Sequence, residues 1–279
     1  MARRTRVYFD HNVVDHAVKR HNITDEQVDQ LRSIGKGRTF DVTLSITNLD
    51  EIIAGLRSPR PEQAIEQLRL TRDVIGFAYL LKPPDQLLTH AFVDFAFDLP
   101  PREAVTVMHP VMREHLERLA DATLVEIEYF TQAAAKVRDQ IDGDYEALRG
   151  ARERALHELE GRRPKQRFIP YWRDVADVFA EGYAGQVGVW ERCRERGMDR
   201  LLAVPCVAMA IGAAASLVYA KLGEGQATDR SDSRDQAHAI AAATADVFVS
   251  NDAEFRRLLK RVPMIAPAVM SLEEFLASV

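Results

Sequence analysis

Cysteine is scarce, with only Cys193 and Cys206 in 279 residues. That excludes a disulfide framework and a Cys-rich zinc module. Positive charge is also in deficit: 37 Lys and Arg face 42 Asp and Glu, a formal net charge of −5. A protein that merely coats nucleic acid is usually basic, so that role is disfavoured. Lysine is the rarer cation, seven of the 37. No basic segment leading into an apolar run opens the chain, so no secretory signal is expected and the expected location is cytoplasmic. The G-x-S-x-G elbow, P-loop, H-E-x-x-H and G-x-G-x-x-G patterns are all missing, which removes the activities they carry. Only residues 201–220 run uncharged long enough to suggest a membrane span. They are alanine-rich and hold Pro205, Gly212 and Ser216. A buried helix that packs closely through small residues is the expectation, with no membrane.

What is present is a chain 47% hydrophobic and 28% charged. That composition excludes disorder, and the length suits one large domain or one carrying a sizeable insertion. Arg6-Val7-Tyr8-Phe9 reads as a strand that runs into Asp10. Thr24 caps a predicted helix to about Ile34, and Val42 to Ile46 reads as a second strand. Thr47 is then expected to cap a helix holding Asn48 and Glu51. Strand and helix alternate again near the C-terminus: a helix from Asp235, a short strand at Asp246-Val247-Phe248-Val249, and a possible last strand at Met264-Ile265. This order predicts an α/β fold with a parallel sheet. Between about Pro59 and Arg200 the apolar spacing is helical and no strand is expected. Ile127, Phe130, Ala134, Val137 and Ile141 share one helix face, as bundle packing or a short coiled-coil seam.

Four acids stand at related places. Asp10 and Asp252 each follow an apolar strand, where sites form in a parallel sheet. Glu51 lies one turn inside the helix after the second strand, and Asp235 opens the helix before the last central strand, with Asp232 as its competitor. Carboxylates beside apolar elements cost free energy unless paired or bound to a cation. Four that converge repel one another, and a divalent ion removes that repulsion. Hard oxygen donors without a His/Cys set select Mg²⁺ or Mn²⁺ over Zn²⁺. His238, one turn after Asp235, either packs or hydrogen-bonds the site. Asn48 either orients Glu51 or caps its helix, and Asp252 can be both cap and ligand. Arginine runs at Arg3/Arg4/Arg6, Arg162/Arg163/Lys165/Arg167 and Arg256/Arg257/Lys260/Arg261 are either solvated surface or phosphate-binding.

Val7-Tyr8-Phe9-Asp10-His11-Asn12, Asn48-Leu49-Asp50-Glu51, Asp235 to Ala241, and Asp246-Val247-Phe248-Val249-Ser250-Asn251-Asp252 with Phe255 together resemble the PIN-domain family of metal-dependent nucleases. The resemblance implies a PIN-like three-layer core at residues 1–56 and 200–279 and a mostly helical insertion at 57–199. It implies catalytic, metal-binding roles for Asp10, Glu51, Asp235 and Asp252, supported by Asn12 and Ser250; position adds Asn48 and His238 as further candidate supporting residues. The implied activity is Mg²⁺- or Mn²⁺-dependent hydrolysis of RNA, in preference to single-stranded DNA, leaving 5′-phosphate and 3′-hydroxyl ends. A toxin held by an antitoxin partner, or a homo-oligomer, is a setting for that activity. A non-catalytic PIN-like RNA-binding or scaffold protein is the alternative. The chain departs from the family pattern in His11, where Thr or Ser is usual, and in its length.

Overall fold

The structure is a computed structural model. It describes residues 4–37, 39–122, 134–140, 142–143, 146, 150, 164–226, 232–263 and 267–279. In chain order the first elements are β1 (Thr5–Phe9), α1 (His11–Lys19), α2 (Asp25–Lys36), β2 (Phe40–Thr43) and α3 (Ile46–Gly55). Next come α4 (Pro61–Val74), β3 (Tyr79–Leu81), α5 (Pro84–Ala96), β4 (Val105–Val107) and α6 (Pro110–Asp121). Then follow α7 (Phe168–Gln186), α8 (Trp190–Arg196), α9 (Met198–Leu201) and α10 (Pro205–Leu222). The last are α11 (Asp232–Ala242), β5 (Val247–Val249), α12 (Ala253–Lys260), β6 (Ala268–Met270) and α13 (Leu272–Leu276).

The protein is α/β, around a four-stranded parallel sheet of order β2-β1-β5-β6. Side chains alternate across a strand, so β1 divides the core in two. Val7 and Phe9 face α1, α2 and α13 through Val13, Ala17, Leu31 and Phe275. Tyr8, with Phe248 of β5, faces α10, α11 and α12 through Met209, Ala239 and Phe255. Both faces are covered, which is why the central strands are almost wholly apolar.

Residues 57–199 share their core with the flanking segments. Leu70 and Val74 of α4 complete the cluster under Val7 and Phe9. Phe92, Ala176 and Ala180 pack with Val207, Ala210, Ile211 and Ile240. The uncharged stretch forms α10, which is long and apolar enough to cross a membrane, yet 67% of it is buried inside the fold. Its small residues let neighbours approach closely: a Cβ on Gly212 would lie 2.1 Å from a methyl of Val262.

Several expectations are corrected. The middle region is not free of strands, because β3 and β4 pair antiparallel, with Leu81 N–H also bonded to the Leu44 carbonyl. The second strand ends at Thr43, and the following helix is capped by Ser45, not Thr47. Ser45 and Asn48 form a reciprocal capping box, which fixes the helix start two residues earlier than expected. The helix carrying Asp235 opens at Asp232. Most of the expected seam around Ile127 to Ile141 lies outside the described residues, as does the expected strand at Met264-Ile265; β6 follows at Ala268.

Candidate functional site

Asp10 follows the end of β1 and stands at the N-cap of α1. Its N–H donates to the Val249 carbonyl at 2.9 Å, so the end of β5 fixes its backbone. The side chain is buried, and its Oδ2 accepts from Asn12 Nδ2 at 2.6 Å and from Ser250 Oγ at 2.8 Å. Ser250 Oγ also accepts from Asn12 Nδ2 and from the Asp252 N–H at 3.0 and 3.1 Å. Asn12 Oδ1 takes the Asn251 N–H at 2.8 Å. The two strand ends are thus clasped together, and Asp10 Oδ1 is left facing the interior of the site.

His238 is fully buried beneath this clasp. Its Nε2 lies 2.9 Å from Glu51 Oε2 and 3.4 Å from Asp10 Oδ1. Its Nδ1 lies 2.6 Å from the Tyr8 hydroxyl, which is 2.8 Å from Ser45 Oγ. Ser45 Oγ donates to Asn48 Oδ1 at 2.7 Å, and Asn48 Nδ2 donates to the Phe9 carbonyl at 3.1 Å. Asn48 is therefore a capping residue tied to β1, and Glu51 is oriented by His238 instead.

The electrostatics divide the four acids. Burial raises the Asp10 carboxyl above its usual range, and repulsion from Glu51 adds to this; His238 opposes it. Asp235 is raised well above its usual range by burial, and then by the charges of Asp10, Asp252 and Asp232. Nothing among the described residues donates a hydrogen bond to its carboxylate. Burial pushes Glu51 upward too, but His238, His11 and Arg234 outweigh it and its net shift is downward. For His238 the desolvation penalty is overcome by Asp10, Glu51 and Asp235, and its pKa rises to about 9.

The structure brings Asp10, Asn12, Ser250, Asp252, Glu51, His238 and Asp235 to the carboxyl-terminal edge of the sheet. Asp252 caps α12 by accepting the Phe255 N–H at 2.8 Å on Oδ1. Buried Asp232 is turned to Lys221, 2.9 Å away, which separates it from Asp235 in role. Asp50 faces Arg234 at 3.7 Å, so it does not stand in for Glu51. Among the described residues no group of three or more His, Cys, Asp or Glu side chains is already placed to hold a metal ion.

Three participants were not singled out as site residues from sequence: Tyr8, Ser45 and Arg234. Tyr8 had one signal, a phenol in a fully buried strand, whose hydroxyl must find a partner. No protein-family model, no curated protein and no solved structure matches the chain. A cavity of about 810 Å³ lies at the opposite, amino-terminal edge, lined in part by Arg6, Arg102 and Arg196. Those cations are committed to acids: Arg6 to Asp41 and Glu103, Arg102 to Asp94, Arg196 to Asp98.

Proposed function

We propose that the protein is a PIN-like, Mg²⁺- or Mn²⁺-dependent nuclease acting on RNA. The observation that carries this reading is the gathering of Asp10, Asp235 and Asp252, from chain positions up to 242 apart, with repulsion and burial at Asp235 that His238 opposes but does not overcome. Such a donor set fits a hard divalent ion, which needs oxygen ligands and offsets the charge. When bound, that ion supplies Lewis-acid activation of water and of the attacked phosphate.

The chain's own residues have distinct duties. Asn12 and Ser250 hold Asp10 by one oxygen and so orient the other inward. His238 keeps Glu51 turned toward the site and lessens the charge repulsion at Asp10. Tyr8 and Ser45 fix the His238 ring. The test is cleavage of structured RNA, single-stranded RNA and single-stranded DNA with Mn²⁺. Cleavage of RNA that Asp10→Asn abolishes is expected; wild-type rates in that variant would sink the reading.

One observation favours the non-catalytic alternative, an RNA-binding or scaffold protein: the acids are near one another but not converged as ligands. RNA binding without cleavage, unchanged by Asp235→Asn, would support it. An antitoxin partner or a homo-oligomer belongs to the same proposal and is tested by the mass of the purified species with and without the neighbouring gene product.

A further inference from the structure

We propose that the cleft between α5, the end of α7 and α11 binds one unpaired nucleobase of a single-stranded RNA. The lining alone points to a base; that the base belongs to an RNA strand rests on the nuclease reading above.

The cleft measures about 300 Å³, the small end of the range that holds small molecules, which suits a flat ring with its sugar left outside. Its apolar lining comes from Leu88 and Phe92 of α5, Val187 at the C-cap of α7, and Ala237 and Ile240 of α11. Tyr183 lines it too, and its ring is held in place. The hydroxyl accepts a hydrogen bond from Gln236 Nε2, and the ring centroid lies 6.5 Å from that of Phe92. A splayed-out base stacks on an aromatic ring of this kind, and a ring already fixed loses little freedom when it does.

The polar groups around the cleft are uncommitted. Among the described residues, Thr89 Oγ1, the Gln186 amide, Gln236 Oε1 and the buried Ser233 Oγ have no hydrogen-bond partner. Amides and hydroxyls offer both donors and acceptors, which matches the hydrogen-bonding edge of a base. No Lys, Arg or His lines the cleft, and its one charged side chain is Asp85, in the first turn of α5. A phosphate has no cation to meet there, whereas a base is neutral.

The cleft also lies beside the acidic cluster. Ser233, Gln236 and Ala237 reach it from α11, and Asp235 and His238 leave the same turns of that helix toward Asp10. Asp235 and Gln236 are consecutive, so a strand with its base in the cleft carries its backbone past the acids. A base paired in a duplex is not presented in this way.

The test is binding of short homopolymeric single-stranded RNAs to the full chain in EDTA, with free ribonucleosides as competitors and thermal melts to confirm folding. One base type is expected to bind about tenfold tighter than the others. Ala237→Leu fills the cleft at little cost in helix propensity, and Gln186→Ala removes an exposed amide. Each should weaken the preferred strand by about tenfold, the loss expected of one stacked base, and leave the other strands unchanged. Equal affinity of wild type and Ala237→Leu for every strand would overturn the proposal. So would binding of a free ribonucleoside without binding of the strand. With Mn²⁺ present, wild-type cuts should fall beside the preferred base, and Ala237→Leu should lose that preference. Asp10-dependent cleavage whose base preference survives in Ala237→Leu would overturn the base site alone. A binding preference lost in Ala237→Leu, in a chain that cuts no RNA, would overturn the nuclease reading and leave the base site standing.

Discussion

Asp235 is the carboxylate with the least local compensation, so neutralising it should help the fold when no metal is present. Asp235→Asn is expected to raise the melting temperature in EDTA by about 2–4 °C, for about 1 kcal/mol of relieved repulsion. It should also abolish any further rise on adding Mn²⁺. Differential scanning calorimetry with and without the ion checks both. His238 gives the pH dependence. Its native pKa is raised from 6.5 to about 9, so the folded state holds the proton more tightly than the unfolded chain does. The stability it contributes is complete below pH 6.5 and is lost as pH climbs through about 9. Asp10 and Asp235 are raised as well and act in the same direction, each losing its contribution as pH rises through its own native value. Urea titrations from pH 6 to 10 should show the fall, and His238→Gln should flatten its alkaline part. At this scale the sequence was readable where the candidate site sits at strand ends: Asp10, Asn12, Ser250 and Asp252 are marked by the apolar runs before them. The Tyr8–His238–Glu51 contact was not readable. It joins residues 230 and 187 positions apart, and no local pattern encodes the rotamer that brings a ring between two carboxylates.

At the scale of elements, helix starts decide where the acids point. Ser45, not Thr47, caps α3, and the same hydroxyl receives Tyr8, so one side chain sets both the helix phase and the His238 ring. Ser45→Ala should cost about 1–2 kcal/mol as a lost cap and buried partner, and should also loosen His238. Equilibrium unfolding and the His238 ring signals would report the two effects separately. The choice between Ser45 and Thr47 could not be decided in sequence because Ser-Ile-Thr offers two cap-forming residues within one turn. Element α10 makes a different point. Gly212 sits where a methyl would press on Val262, so Gly212→Ala should destabilise by about 1–3 kcal/mol despite a better helix propensity. Val262→Ala should rescue part of that loss in a double-mutant cycle. The short strands β3 and β4 escaped detection because three residues are too few for an alternation to stand out from a helical background.

The whole molecule is held together across its chain divisions. Leu70 and Val74 close the layer beneath β1, while Phe92, Ala176 and Ala180 close the layer outside α10. Excising residues 57–199 would therefore bare apolar faces on both sides of the sheet. The excised chain is expected to be aggregated or partly folded, and the intact chain to show one cooperative calorimetric transition. Two separate transitions would show instead that the middle region folds independently. The α/β class was readable from the order of the outer elements. The shared core was not, because helical spacing shows which face is apolar but not what it meets.

The clasp at the sheet edge also has a consequence in time. Asp10 leaves the ribosome 240 residues before Ser250, the partner of its carboxylate. Strand β1 cannot gain its β5 neighbour, nor Asp10 its Ser250 partner, until those 240 residues have followed. Pairings this distant along the chain form late. Until then a nascent chain of this kind lacks the clasp that holds Asp10, so a site built this way is completed only after both distant segments have emerged.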